Sequence, residues 1–405
     1  MSNCPIMDVY RSENIVARAV PCDDVSRWVV TFDNYGIGHG FDREGFSQKF
    51  LYEKGVSTVH IMGRREDWYQ YPDMMEAIAA VRSHLAETDR VITYGSSMGG
   101  YAALRFADLL GADATLALSP QYSINPKKAP FETRWLQDAS RINWLPESEP
   151  PLPQAARAVV VYDPATIDKL HTELIAAESK IETIPIWYSG HPAGLVVADA
   201  HLLAPLLFDV LNGVENLSHY QSAVRAARGQ SSTYLVNLAR ALPERRASLA
   251  LTLAERAVAI NPTHVDALHG LAANLVSASR HDEAIIFYRR AVEAADGGIA
   301  GLIPFAEGLV RMGRYDEAMR IVREVTSSPG AAHMAHLHAW HGLIARHIGL
   351  TQEAQEAFRT ATLLHPSEGA YRKLARPHVA KHSLVGLWIR RSLAWCRARI
   401  KAWQR

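Results

Sequence analysis

The chain has 405 residues, 48% of them hydrophobic and 21% charged, which is enough apolar material for two or three cores and too much for extended disorder. Its net charge of +1 hides an uneven distribution: residues 1–212 hold 18 Lys and Arg against 27 Asp and Glu, residues 213–368 hold 15 of each sign, and residues 369–405 hold ten basic side chains and no acid. A nucleic-acid partner is therefore not expected, and only the tail suits an anionic surface.

No run of 18 apolar residues occurs, and the start Met-Ser-Asn-Cys-Pro has neither a basic region nor an apolar stretch, so neither a membrane span nor an export signal is expected. Cys4, Cys22 and Cys396 have no metal-ligand spacing, which fits a reducing, cytoplasmic setting without a metal.

In chain order, β-rich runs at 28–32, 57–62, 90–94, 115–118, 158–162 and 184–188 alternate with amphipathic stretches at 44–53, 72–86, 99–110, 164–179 and 192–211. This is the pattern of a mostly parallel sheet covered by helices, a catalytic-sized domain over 1–212. Before residue 27 only 14–20 could supply a strand, so a reduced sheet is expected. The alternation breaks at 119–156, where seven prolines and the aromatics Tyr122, Phe131, Trp135 and Trp144 predict a cap-like insertion over a site. Residues 213–229 are expected to form a linker.

From 230 to 368 the strand signals stop and a repeat takes over. Ala250, Ala284, Ala318 and Ala354 recur at spacings of 34, 34 and 36 residues, and large or β-branched residues follow four positions later at Tyr288, Val322 and Phe358. Small residues where helices touch and large ones between them resemble the tetratricopeptide repeat (TPR), which implies an all-α solenoid offering a concave face to a protein or peptide. Pro304 is expected in the first turn of its helix. The tail 369–405 carries Trp388, Trp395 and Trp403 at helical spacing beside arginines; an anionic membrane surface and a cap on the last repeat both account for it.

The segment Arg90 to Arg105 reads as an apolar strand, then Gly95-Ser96-Ser97-Met98-Gly99, then a helix. G-x-S-x-G between strand and helix is a nucleophile elbow. The turn leaves no room for side chains at Gly95 and Gly99 and raises Ser97 at the carboxyl edge of the sheet. The amide of Met98, opening the helix, can then donate to an oxyanion.

By this elbow and the strand-helix order, residues 27–212 resemble the α/β-hydrolase superfamily, with a distant likeness to bacterial glycan O-acetyltransferases. The resemblance implies a serine nucleophile, then an acid, then a histidine along the chain. Asp163, at the end of the penultimate predicted strand, is the expected acid, with Asp168 the alternative one turn into the next helix. His191, between Gly190 and Pro192 after the last strand, is the expected base. A second oxyanion donor is expected from the amide of Asn34 or Tyr35 in the glycine-rich loop after the first strand, a loop whose spacing is no dinucleotide fingerprint. Arg64, Trp68 and Tyr69 are candidates for the pocket wall, with Trp68 and Tyr69 equally readable as plugs beside the elbow.

The expected activity is hydrolysis of a small-molecule or glycan acyl ester without a cofactor. Transfer of the acyl group to a glycan hydroxyl and a non-catalytic TPR scaffold are the alternatives.

Overall fold

A computed structural model describes residues 6–38, 40–328, 332, 334–364 and 369–374. The chain divides into two compact units, one running to Asn237 and the other starting at Leu238. Most of the expected tail, 375–405, and with it the choice between membrane docking and capping, lies outside the described residues.

Eight strands form the sheet of the first unit: β1 (Met7–Arg11), β2 (Ile15–Val20), β3 (Arg27–Phe32), β4 (Ser57–Gly63), β5 (Arg90–Ser96), β6 (Ala114–Leu118), β7 (Arg157–Tyr162) and β8 (Ile181–Pro185). Their spatial order is β1-β2-β4-β3-β5-β6-β7-β8, with β2 antiparallel to β1 and β4 and every later pair parallel. The expectation of a reduced sheet is thus overturned. The residues of β1 are half-buried or exposed, so its sequence has little apolar periodicity to mark a strand. The central strands are buried on both faces, as parallel strands sandwiched by helices must be, and they read as continuous Val, Ile and Ala runs.

On one face Val30, Phe32, Val59 and Ile61 pack with Ala77, Ile78 and Val81 of the helix Met74–His84. Farther along the same face lie Ala117, Val160 and Ile175, the last from the helix Asp168–Glu178.

The segment 119–156 is bolted to this body. Buried Gln70 accepts the Leu145 N–H at 2.9 Å and donates to the Ser148 carbonyl at 3.3 Å, and Arg105 donates to the carbonyls of Pro150 and Tyr122. The expected linker 213–229 instead holds the helix His219–Ala227. The Leu217 N–H donates to Glu182 and the Tyr220 hydroxyl to Asp209, so this stretch belongs to the first unit.

In the second unit consecutive helices pair as Val265–Ser277 with His281–Ala294, Ile299–Arg311 with Tyr315–Ser327, and Ala335–His347 with Thr351–Leu364. Equivalent helices begin 34 residues apart between the first two pairs and 36 between the last two, the period of the alanines. The turn inside each pair needs one left-handed residue: Gly313 and Gly349 supply it at φ 76° and 88°, and Ser279 does so in the first pair at φ 59°. Gly342 has no side chain because a Cβ there would meet the Phe358 ring at 2.6 Å. Pro304 sits in the interior of Ile299–Arg311 rather than its first turn. The helix continues past it with one carbonyl left without its intrahelical donor.

Ala318 is fully buried between neighbouring helices. Ala318→Arg forces a long charged side chain into that contact, at a cost of about 3 kcal/mol or more from overpacking and desolvation. Helical circular dichroism is expected to melt at lower temperature in this variant, and an unchanged melting curve would count against a packed repeat.

Candidate active site

The elbow has the geometry its glycines imply. A Cβ on Gly95 would lie 2.2 Å from the Gly99 carbonyl oxygen, and one on Gly99 would lie 2.3 Å from the Phe32 carbonyl oxygen. Ser97, between β5 and the helix Met98–Arg105, adopts φ 55° and ψ −116°, a strained conformation for a residue with a side chain. Its N–H is held by the Leu118 carbonyl at 2.8 Å. Met98 opens the helix, so its N–H has no intrahelical acceptor and points outward beside Ser97.

Ser97 Oγ lies 2.9 Å from His191 Nε2, and His191 Nδ1 lies 2.7 Å from Asp168 Oδ2. The partner of the imidazole is therefore Asp168 and not Asp163. Asp168 is the first residue of its helix, fully buried, with its carboxylate directed at the loop after β8. Asp163 does another job: its Oδ1 accepts the N–H groups of Ala165 and Tyr188, at 2.8 and 3.0 Å, and its Oδ2 that of Gly190 at 2.7 Å. It thereby shapes the loop that carries His191. The strand-end position pointed to Asp163, but backbone donors from two loops saturate that carboxylate, while the next helical turn is free to face the imidazole.

Burial alone would raise the Asp168 carboxyl, but the charges of His191 and Arg134 outweigh it and hold the group well below the usual carboxylate range. Burial pushes the His191 imidazole below its ordinary value, against the opposing pull of Asp168. Burial also raises the Asp163 carboxyl, although its three backbone donors favour the charge.

Of the expected wall residues, Arg64 turns away and pairs with Glu13. Tyr69 is a core residue whose hydroxyl accepts the Asp33 N–H and donates to the Ile61 carbonyl at 3.1 Å, tying the ends of β3 and β4. Trp68 is buried beneath Tyr35 and Trp135, with ring centroids 5.7 and 5.6 Å away. Trp68 and Tyr69 both have positive φ, 52° and 59°, rare for bulky residues and held here by packing on every side.

The loop after β3 begins against the elbow, since Phe32 and Asp33 line the space over Gly99. Asp33 is pinned by Arg43 at 2.6 Å, the Asn34 side-chain Nδ2 donates to the Tyr35 carbonyl at 2.9 Å, and the Gly36 N–H donates to Glu66.

Two further residues stand at the site: Gln121, which no motif marks, and Trp135, one of the aromatics that predict the cap. Gln121, three residues past β6, donates from Nε2 to Ser97 Oγ at 2.9 Å, and its own Oε1 has no partner among the described residues. Its place at the carboxyl edge of the next strand could have flagged it. Trp135, from the insertion, meets the His191 ring edge-on at 5.6 Å.

No family model and no curated protein matches the chain. Among solved structures, the capsule O-acetyltransferase of Neisseria meningitidis serogroup A is 12% identical, with a TM-score of 0.34 over 44% of this chain and 85% of that one. YrrB, a TPR protein with an unusual peptide-binding site, is 15% identical, with a TM-score of 0.28 over 43% and 87%. MamA is 19% identical, with a TM-score of 0.28 over 42% and 92%.

Proposed function

We propose that the first unit is a serine acyl hydrolase of the α/β-hydrolase type, acting on an ester through Ser97, His191 and Asp168. The observation that carries this is the unbroken chain of contacts from Ser97 Oγ through both nitrogens of His191 to Asp168, starting at a strained strand-to-helix turn. The order along the chain, nucleophile after β5, acid after β7 and histidine after β8, is the one that the hydrolase resemblance calls for.

In this reading Gln121 fills one acceptor site on Ser97 Oγ, so that the hydroxyl proton faces His191 Nε2. Ser97 attacks the acyl carbonyl as that proton passes to His191, and Asp168 stabilises the imidazolium. The Met98 N–H and an amide of Asn34 or Tyr35 hold the oxyanion. The alcohol leaves with the proton from His191, and water then releases the acyl group by the same steps in reverse. Transfer to a sugar hydroxyl is the second reading, favoured by the half-buried ring of Tyr35, which packs on the buried Trp68 and on Trp135 beside His191. The helical pairs of the second unit would hold a protein or peptide partner, as stacked repeats do.

Product analysis with an aryl acetate, with and without a glycan acceptor, tests the assignment. Free acetate in both cases supports hydrolysis, acetylated glycan supports transfer, and no consumption of any aryl ester would refute both.

The pH profile is a second check. The base form of His191 is required, and its pKa is depressed by burial, so activity is lost only as pH falls below the ordinary imidazole value of about 6.5. An acid limb of kcat/KM with its midpoint above about 7 would contradict the buried environment described for His191.

A further inference from the structure

The carboxylate of Asp168 has two partners, and the chemistry above uses only one. While Oδ2 holds His191, Oδ1 accepts from Arg134 Nη1 at 2.9 Å. Arg134 comes from the insertion, and its guanidinium lies 4.4 Å over the ring of Trp135, the same ring that meets His191.

Arg134 is itself gripped by Glu132, which accepts from Nη2 at 2.7 Å, from Nε at 3.0 Å and from the Arg134 backbone N–H at 2.7 Å. Glu132 is fully buried and has one further partner, His171, whose Nε2 is 2.8 Å away. Because His171 Nδ1 accepts the Tyr122 N–H, at 3.1 Å, its Nε2 must carry the proton and donate it to Glu132. Tyr122 follows Gln121, which donates to Ser97. The contacts thus close a ring: Ser97, His191, Asp168, Arg134, Glu132, His171 and the backbone of 121–122 back to Ser97.

Charge gives the ring its meaning. Arg134 against Asp168 and Glu132 leaves one negative charge while His191 is neutral, and protonation of His191 brings the cluster to neutrality. Without Glu132, the same proton would create a net positive charge in a buried place, which low dielectric penalises. Without Arg134, two buried carboxylates would face each other with one cation fewer, and Asp168 would lose the donor that fixes its second oxygen.

We infer that Arg134 and Glu132 form a positioning pair for the acyl-transfer site, Arg134 holding Asp168 ionised and aimed, and Glu132 supplying the charge that offsets the imidazolium. This rests on the acyl-enzyme reading for its effect on turnover. The charged groups acting on His191 include Asp168 from its helix and Arg134 and Glu132 from the insertion, and Asp168 in turn raises the Asp163 carboxyl in the loop after β7. The two insertion charges pull in opposite directions: Arg134 lowers the basicity of His191 and Glu132 raises it.

The test is an NMR titration of the His191 ring in the full chain, assigned with His191→Gln, for wild type, Arg134→Met and Glu132→Gln. Removing the positive charge is expected to raise the midpoint, and neutralising Glu132 to lower it, each by up to about one pH unit. In Arg134→Met, kcat for an aryl acetate is expected to fall about tenfold with KM changed less than about twofold, and Arg134→Lys to restore the midpoint more fully than the rate. Midpoints that match wild type, or that move the same way in both variants, overturn the inference. Should Arg134→Met fail to fold, Glu132→Gln decides alone: a downward shift supports the pair, and an unchanged or raised midpoint overturns it. The titration needs no substrate, so a protein inert to esters would remove the acyl chemistry and leave this result standing.

Discussion

Ser97→Ala is expected to abolish labelling by a fluorophosphonate probe and to lower turnover of an aryl acetate by about 10³-fold or more. The hydroxyl lies within hydrogen-bond reach of His191 Nε2, on a residue that is 6% exposed at a turn the surrounding glycines enforce. Alanine fits the same strained backbone, so the variant keeps its fold, and the residual rate is what the oxyanion donors supply alone. Ser96, its neighbour, lies in β5 and pairs across to β6; Ser96→Ala is expected to label as wild type does. Labelling that survives Ser97→Ala but is lost in Ser96→Ala would place the nucleophile one residue earlier.

A loss of about 10⁴-fold in kcat is expected for Asp168→Asn, since an amide at Oδ2 presents a donor to His191 Nδ1 and stabilises the wrong tautomer. The change also leaves Arg134 facing a neutral group. Asp163→Asn should act differently. Its carboxylate accepts three backbone N–H groups, and an amide nitrogen cannot accept any of them, so at least one buried donor is stranded at a cost of about 1–3 kcal/mol. The melting temperature of the first unit is expected to fall while kcat, measured where the variant is folded, stays within about tenfold of wild type. Equal losses of kcat in the two variants at a temperature where both are folded would sink the division of roles.

What was legible in the sequence was whatever depends on neighbours along the chain. Gly95 can carry no side chain because the backbone of Gly99 and Gly100 turns back onto it, the continuous apolar runs of β3, β5, β6 and β7 answer to burial on both faces, and the 34- and 36-residue spacing of alanines follows from stacking one helix pair on the next. Placing His191 opposite Ser97 also needed only strand order, because a parallel sheet sends the end of every strand to the same edge.

The tertiary structure alone decided which aspartate faces His191. Asp163 and Asp168 are five residues apart at the same edge, and the difference between them is that the backbone amides of 188 and 190 had already claimed Asp163. The half-buried β1 and the outward turn of Arg64 were equally invisible, since neither has a local pattern, and only the packing decided that Trp68 and Tyr69 are plugs and not wall. Hardest of all to read was the insertion, whose prolines announced an irregular segment but not its content. Glu132 and Arg134 are two residues apart in a stretch without periodicity, and a buried ion pair is worth having only when a third charge, here Asp168 some 34 residues away, meets it in good geometry. Local sequence sets the strands, turns and repeat period because those answer to short-range sterics and burial. Partner choice among buried charges is settled only when distant segments have excluded water and left each carboxylate with the donors that remain.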